Sequence, residues 1–281
     1  MSRTRARVVL TLCTVVILGW ASVSWAHGHR EHHGGKDTFD WASGPAYRRG
    51  VVSVANPHGA AAGAEILKKG GNAVDAAVAI AYALNVVEPQ SAGIGGGGFM
   101  LIHIARTGKT VLIDTRERAP AGATRDMFVG VPSATTQGIA VGVPGMVKGT
   151  DLALRLYGRK RLAEVLKPAI RLADEGFAAT PRYVEASCNS RARNYPETEA
   201  YFCPGGVPRV QVGEIVTNKP LAETFRAIAR GGPDAFYTGD IAKGIVEGQK
   251  RFRVVNGEPG KGGSMTLEDL ANYEVSVREP Y

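Results

Sequence analysis

Long hydrophobic runs are missing from this sequence after its first 26 residues. No later segment is apolar over enough residues to cross a bilayer, so a membrane partner is not expected. The chain also lacks a basic block interleaved with aromatic residues, the pattern of a nucleic-acid binder, although its formal charge is +8. We therefore expect no nucleic-acid partner, and we interpret the basic residues as a solvated surface.

Residues 1–26 have the pattern of a secretory signal peptide. Three arginines precede an apolar stretch from Val8 to Leu18, and Ser24-Trp25-Ala26 supplies a small–x–small cleavage site. The alternative is an uncleaved membrane anchor, which is disfavoured because the apolar stretch is too short to span a bilayer comfortably. We expect a secreted or periplasmic protein that has no membrane attachment after cleavage.

Cysteine is scarce, with three residues in the chain. Cys13 lies in the signal segment, which leaves Cys188 and Cys203 in a compartment expected to be oxidising. The segment between them is polar and contains a proline, as is usual for a surface loop. We expect a disulfide between them, which would stabilise the fold by ~3 kcal/mol in the chain-entropy model. Two unrelated buried thiols are the alternative.

Histidine is scarce outside residues 27–46, which we predict to be a histidine-rich disordered tail. If cleavage follows Ala26, the new amino terminus at His27, the first amides and the ring of His29 would form a Cu²⁺ or Ni²⁺ chelate. The alternative is a solvated tail without a metal. We expect no cofactor for the rest of the chain, residues 47–281, which contains no evident internal boundary or repeat.

The familiar nucleophile motifs are absent, since neither G-x-S-x-G nor S-x-x-K occurs. The run from Gly93 to Gly98 formally satisfies G-x-G-x-x-G, but a dinucleotide site needs a strand before the glycines and a helix after them. Here the predicted order is reversed, so we reject a nucleotide site. We interpret Gly95, Gly96 and Gly97 as a backbone-lined turn beneath a substrate cleft, with free amide donors. Simple close packing of a helix on a sheet is the alternative.

Hydrophobic spacing and turn residues predict a mixed α/β (α+β) fold. Helices are expected over 58–69, from the Asn72 cap to Val87, from Pro144-Gly145 to Tyr157, over 162–175 with a break at Pro168, over 221–230, from Asp240, and after a capping box at Thr266. Strands are expected over 50–55, 99–104, 110–115, from Gly138 to Pro144, and over 273–277, whereas 177–219 is expected to be mostly loop.

Six blocks of the sequence resemble the large subunit of the gamma-glutamyltranspeptidase family. The blocks are GGNAVDAAVA (70–79), EPQSAGIGGGGF (88–99), DTRERAP (114–120), VGVPGMVKG (141–149), DAFYTGDIA (234–242) and GGSMTLEDLANYEV (262–275). The resemblance covers the chain from about Val51 and implies an N-terminal-nucleophile hydrolase with a four-layer αββα fold, here its large-subunit part and therefore incomplete. It also implies a precursor that cleaves itself to leave a threonine at the start of a small subunit.

The resemblance implies γ-glutamyl acyl transfer or hydrolysis, with glutathione and related γ-glutamyl compounds as substrates. Arg116 would bind the substrate α-carboxylate, because a guanidinium donates two parallel N–H bonds and a lysine does not. Glu117 beside it is a candidate for lining the site. From the residues alone, Arg116 has a second interpretation as a salt-bridged arginine at the end of a strand.

The family's processing site and threonine nucleophile find no counterpart before Tyr281. We therefore expect a chain that is truncated before the processing site and inactive alone, with a separately encoded small-subunit chain as a candidate partner. The alternative is a non-catalytic periplasmic remnant that binds γ-glutamyl compounds or other carboxylates. The related cephalosporin acylases remain a second possibility for the nearer relatives.

Overall fold

The computed structural model describes residues 50–188, 195–251 and 260–280. The predicted signal peptide, the tail and the candidate metal ligands His27 and His29 lie outside the described residues. None of the helices in the described ranges is long and apolar enough to span a membrane.

Helices and strands are mixed along the described chain, as the sequence predicts. The helices are α1 (Pro57–Lys68), α2 (Ala73–Val87), α3 (Met146–Tyr157), α4 (Leu162–Val165), α5 (Lys167–Asp174), α6 (Pro181–Ser187), α7 (Pro196–Phe202), α8 (Lys219–Gly231), α9 (Asp234–Tyr237), α10 (Gly239–Gly248) and α11 (Leu267–Ala271). The strands are β1 (Phe99–Ile104), β2 (Lys109–Asp114), β3 (Phe177–Ala178), β4 (Ile215–Val216) and β5 (Ser276–Arg278).

Asparagine side chains cap the first two helices, of which α1 begins one residue earlier than expected. The Asn56 side chain accepts a hydrogen bond from the His58 amide at the start of α1. Asn72 and Asp75 form a reciprocal capping box at the start of α2, which confirms the predicted cap. Gly70 lies between the two helices with φ +85°, a conformation that favours glycine.

The main core lies between α2 and the helices α5 and α8. Helix α2 is apolar nearly all round, and Tyr82 on it is fully buried. The ring of Tyr82 meets that of Phe225 on α8 edge to face, with centroids 5.5 Å apart. The burial of α2 confirms its predicted central position.

Strands β1, β2 and β5 form an antiparallel sheet in that order. Phe99 pairs with Asp114, and Leu112 pairs with both Leu101 and Arg278. One face of this sheet, which includes Ile102 and Ile113, packs on the core. The opposite face leaves Phe99 and Leu101 exposed. The predicted hairpin is confirmed to within one residue.

Two predicted strands are not formed. Residues 50–55 pair with no other strand in the described chain. The prediction failed because an apolar pattern indicates that a segment can be extended, but not that a partner strand is present. The second is the segment before α3, where residues 138–140 form a 3₁₀ turn and Val143 makes a single bridge with Arg118. The predicted helix that follows Pro144-Gly145 is confirmed.

Residues 177–219 are more regular than the predicted loop. Strand β3 pairs with β4, and α6 and α7 each begin with a proline at the first helical position. Short helices of this kind lack the periodicity from which longer helices are recognised. The predicted break near Pro168 is confirmed, since α4 and α5 are separated at Leu166. The last predicted strand forms later than expected, as β5.

Candidate functional site

Thr115 fastens the end of β2 to the glycine run. The Gly98 amide donates to Thr115 Oγ1 at 3.0 Å, and Thr115 Oγ1 in turn donates to the Gly98 carbonyl at 3.0 Å. The Thr115 amide also donates to that carbonyl, at 2.9 Å. These three bonds fix the backbone at the point where the chain leaves the sheet and enters the D-T-R-E-R-A-P run.

Three glycines pack directly on Thr115. A Cβ on Gly97 or on Gly145 would overlap the Thr115 carbonyl oxygen, and a Cβ on Gly149 would overlap the Thr115 methyl group. The Gly96 carbonyl accepts from the amides of Gly145 and Met146, both at 3.1 Å, which joins the glycine run to the start of α3. Close backbone packing is therefore one role of these glycines.

Arg116 has a backbone fixed by hydrogen bonds and an exposed side chain. Its amide donates to Asp114 Oδ1 at 3.0 Å, and its carbonyl accepts from the Tyr273 hydroxyl at 2.9 Å. Its side chain is 57% exposed, and one guanidinium nitrogen lies 3.2 Å from Glu117 Oε2. The remaining donors of the guanidinium form no hydrogen bond within the described residues.

A cavity of about 520 Å³ opens beside this arginine. Its walls are Gly95, Arg116, Glu117, Arg118, Ala119, Pro120, Ala123, Met127, Phe128, Ile139, Ala140, Val141 and Gly142. The structure thus brings together Gly95, Arg116 and Glu117 of the predicted site, whereas Gly96 and Gly97 do not line the cavity. A side chain at Gly95 would meet nothing within 4 Å, and the Gly95 amide makes no hydrogen bond within the described residues. The Gly96 amide, by contrast, donates to the Gly93 carbonyl at 3.1 Å and is not the free donor expected from the sequence.

Glu117 contributes a carboxylate to the charged wall. Its Oε2 atom is buried and accepts no hydrogen bond in the described part of the chain, but it is ion-paired with Arg116 at 3.2 Å. Arg118 donates to Ser276 Oγ at 3.3 Å, and its guanidinium lies over the Tyr273 ring. This wall therefore offers two guanidinium groups and one carboxylate, so it favours an anionic or zwitterionic ligand.

Three side chains that sequence reasoning missed hold the run in place. Tyr273 binds the Arg116 carbonyl, and Asp269 Oδ1 accepts from the Ala121 amide at 2.8 Å. Lys148 Nζ donates to the carbonyls of Ala271 and Tyr273, at 2.9 and 2.7 Å. The three residues belong to quoted sequence blocks, but their role depends on contacts between distant segments that local spacing does not reveal.

Burial changes the titration of two of these supporting groups. Desolvation lowers the pKa of the Lys148 ammonium, against the opposing charges of Asp234 and Glu274. Desolvation also raises the pKa of Tyr273, which the nearby Arg118 partly offsets. Tyr273 therefore remains a protonated hydroxyl donor to the Arg116 carbonyl at neutral pH.

Cys188 and Cys203 lie apart from the cavity. A disulfide joins Cys188 and Cys203, whose Cα atoms are 5.0 Å apart. They follow α6 and α7 directly, and neither residue lines the cavity. Within residues 50–188, 195–251 and 260–280, no group of three or more His, Cys, Asp or Glu residues is arranged to hold a metal ion.

Comparison with known proteins places these features in one family. The family model of Gamma-glutamyltranspeptidase matches residues 59–281. The glutathione hydrolase proenzyme of Bacillus subtilis (strain 168) is 43% identical over 239 residues, 82% of this chain and 39% of that protein. The glutathione hydrolase proenzyme of Escherichia coli (strain K12) is 40% identical over 242 residues, 83% of this chain and 40% of that protein.

A solved structure agrees with the sequence relatives. The crystal structure of Helicobacter pylori gamma-glutamyltranspeptidase has a TM-score of 0.77 and 38% identity, over 84% of this chain and 67% of that chain. This chain spans about two fifths of the length of the curated relatives, in their large-subunit portion. The mixed fold is that of an N-terminal-nucleophile hydrolase, as the sequence blocks imply. The chain belongs to the gamma-glutamyltranspeptidase family.

Proposed function

We propose that this chain is the substrate-binding part of an enzyme that hydrolyses or transfers the γ-glutamyl group of glutathione and related compounds. The observation that carries the proposal is the state of Arg116. Its backbone is held by Asp114 and Tyr273, while its guanidinium stands exposed at the cavity. A charged group that is positioned in this way, with donors to spare, suits a ligand carboxylate.

The guanidinium fits the α-carboxylate of a γ-glutamyl group. Two parallel N–H donors of a guanidinium match two carboxylate oxygens, and within the described residues Glu117 lies close to one nitrogen of Arg116, at 3.2 Å. Gly95 presents its amide beside them without a side chain that would narrow the cavity. In this proposal Arg116 orients the substrate and transfers no proton.

The acyl-transfer step needs a nucleophile and an oxyanion hole, which we assign to a small-subunit segment. The hydroxyl of a new N-terminal threonine would attack the γ-amide carbonyl while its own amine takes the hydroxyl proton. The amide C–N bond would then break, the leaving amine would take that proton, and water or an acceptor amine would release the γ-glutamyl group from the threonine. The exposed face of the sheet supports such a partner, because Phe99 and Leu101 leave apolar surface uncovered next to the site. Leu112, between them and β5, extends this surface.

Calorimetric titration of this chain alone tests whether Arg116 binds a ligand carboxylate. Glutamate and glutathione are expected to bind, and Arg116→Ala is expected to abolish the binding without rescue by Arg116→Lys, because lysine lacks the planar fork. Arg106→Ala, in the exposed turn between β1 and β2, is the matched control and should bind like the parent chain. Equal binding by parent and Arg116→Ala would refute the assignment.

Reconstitution tests the enzymatic part of the proposal. The chain would be co-expressed with the small-subunit segment of a gamma-glutamyltranspeptidase, and release of the amine from a γ-glutamyl anilide would be followed. Activity that requires both segments and Arg116 is the expected result. Binding without any activity in the reconstituted sample would favour the alternative function, a non-catalytic module that binds γ-glutamyl compounds.

Export to the periplasm or medium is a further part of the proposal, because residues 1–26 have the pattern of a signal peptide. Amino-terminal sequencing of the mature protein is expected to begin at His27. The Cu²⁺ or Ni²⁺ chelate by His27 and His29 then predicts copper binding by the mature chain that disappears in His29→Ala. A mature terminus at any other residue would remove the chelate.

A further inference from the structure

The cavity beside Arg116 has two chemically different walls. Arg116, Glu117 and Arg118 form the charged wall, which the proposed function assigns to the γ-glutamyl group. The other wall is apolar and consists of Ala123, Met127, Phe128, Ile139 and Val141. The proposed function uses only the first wall, so the second one has no role yet.

The apolar wall is built on a loop that is tied at both ends. At its start, the Ala121 amide donates to Asp269 Oδ1 at 2.8 Å. At its end, the buried Gln137 accepts from the Lys261 amide through Oε1 at 2.8 Å, and its Nε2 donates to the Pro132 carbonyl within the loop at 2.7 Å. Between these ties, the Val131 amide donates to the Phe128 carbonyl at 3.2 Å. The loop therefore presents its apolar side chains from a fixed frame.

Phe128 is the most informative residue of this wall. It is 45% exposed although it is a large aromatic residue, and it lines the cavity instead of joining the core. Its neighbour Val129 is 76% exposed but lies outside the cavity. Phe128 therefore lines the cavity, whereas its neighbour Val129 does not, so a substitution of Val129 is a control for a substitution of Phe128.

The size of the cavity leaves space beyond a glutamyl group. Its volume of about 520 Å³ lies inside the range of roughly 300–1,000 Å³ that is typical of sites for larger, drug-sized ligands. A γ-glutamyl group is linear, with its α-carboxylate and ammonium at one end and the amide at the other. Binding its charged end to Arg116 directs the substituent on the amide away from the charged wall.

We propose that this cavity selects γ-glutamyl compounds whose amide nitrogen carries an apolar or aromatic group, and that Met127 and Phe128 determine that preference. The inference rests on the proposed function, because it takes the charged end of the ligand to be at Arg116. Burial of apolar surface on both partners is the driving force. The ligand class is a γ-glutamyl amide of an apolar amino acid.

Calorimetric titration of the full chain with glutamate, γ-glutamylglycine and γ-glutamylphenylalanine tests the preference. We expect γ-glutamylphenylalanine to bind about tenfold more tightly than γ-glutamylglycine, the scale of a buried side chain after its ordering cost. Phe128→Ala and Met127→Ala should each reduce this ratio toward one while the affinity for glutamate is kept. Val129→Ala, from the same loop, should leave the ratio unchanged, and Phe128→Leu should retain most of it.

The outcomes separate this inference from the proposed function. Glutamate binding that requires Arg116, with equal affinities for the two dipeptides or a ratio insensitive to Phe128→Ala, overturns the inference alone. A ratio that depends on Phe128 but not on Arg116 supports recognition of the apolar group by the apolar wall and overturns the binding of the α-carboxylate by Arg116. No binding of any of the three ligands overturns both. The glutamate affinity of each variant shows that its cavity is intact, so a misfolded variant is recognised.

Discussion

The helical layer and the edge of the cavity are built in opposite ways. In the layer of α2, α5 and α8, large side chains such as Tyr82 and Phe225 fill the space between helices. At the edge of the cavity, backbone packs on backbone, with Gly97 and Gly145 against the Thr115 carbonyl. The first region depends on large side chains that fill the space between helices. The second depends on glycines, which have no side chain and so allow two backbones to approach closely.

This difference separates two kinds of tolerance to mutation. A core filled by side chains adapts to a change of shape, because neighbouring rotamers and helices shift slightly. A contact between two backbones has no rotamer to change, so an added methyl group must move the chain itself. At the cavity, the amide and the carbonyl of Arg116 are both held by hydrogen bonds. The guanidinium is therefore the part of Arg116 that can move to contact a ligand.

Phe225→Ala is expected to have the largest effect and tests the helical layer. Removing this fully buried ring should lower the free energy of unfolding by about 3–5 kcal/mol, because a cavity remains between α8 and Tyr82. Urea unfolding followed by circular dichroism measures the change. Leu156→Ala on α3, where the side chain is half exposed, is the control and should cost far less. Similar losses for both variants would show that the layer is not the main core.

Gly97→Ala tests the opposite construction at the cavity edge. One methyl group should cost about 2–3 kcal/mol, because it would overlap the Thr115 carbonyl and strain the backbone. This corresponds to a fall in Tm of about 2–4 °C for each kcal/mol in a domain of this size. Gly98→Ala is the matched control, since a Cβ there meets nothing within 4 Å. Equal stability of the two variants would contradict the backbone-packing account.

The two regions also differ in how far the sequence predicts them. Helix α2 begins at its predicted cap and ends at Glu88-Pro89, because capping and apolar spacing are local signals. The hairpin is equally local. The contacts at the cavity edge join residues far apart in the chain, such as Tyr273 and Arg116, which are separated by 157 positions. No periodicity encodes such contacts, so only the family resemblance pointed to Arg116.

The same limit explains the errors. The extended segment 50–55 has a strand-like pattern, but pairing depends on a partner that the pattern does not specify. The short helices α6 and α7 depend on prolines at their first position and contain too few residues to show an apolar period. Elements whose stability comes from their neighbours are therefore the ones that local sequence signals miss.

Tyr273→Phe sharpens the comparison by removing one hydrogen bond at the cavity edge. Loss of the hydroxyl that donates to the Arg116 carbonyl should lower the free energy of unfolding by about 1 kcal/mol. It should also weaken glutamate binding, because the backbone of Arg116 is no longer fixed. Tyr201→Phe removes a comparable bond, from its hydroxyl to the Thr217 carbonyl, outside the cavity. That control should lose similar stability but no affinity, and a parallel loss of affinity would contradict the positioning role of Tyr273.

Asp269→Asn is expected to have the smallest effect on the free energy of unfolding, and that effect is expected to depend on pH. Desolvation raises the pKa of this carboxyl, but hydrogen bonds from the amides of Ala121 and Thr266 and from the Thr266 hydroxyl outweigh it, so the net shift is downward from 3.8. Because the folded pKa lies below the unfolded one, the ionised group stabilises the fold above pH 4 or so, and this contribution is lost as the pH falls through the folded pKa. The variant should be about 0.5–1 kcal/mol less stable than the parent at pH 7, the size of a capping interaction, and the gap should close at acid pH, as the pH falls through the folded pKa. Urea unfolding of both proteins across that range measures the gap. A gap that stays constant with pH would mean that Asp269 anchors the cavity loop by its shape alone, and that the charge at this tie between Ala121 and α11 contributes nothing.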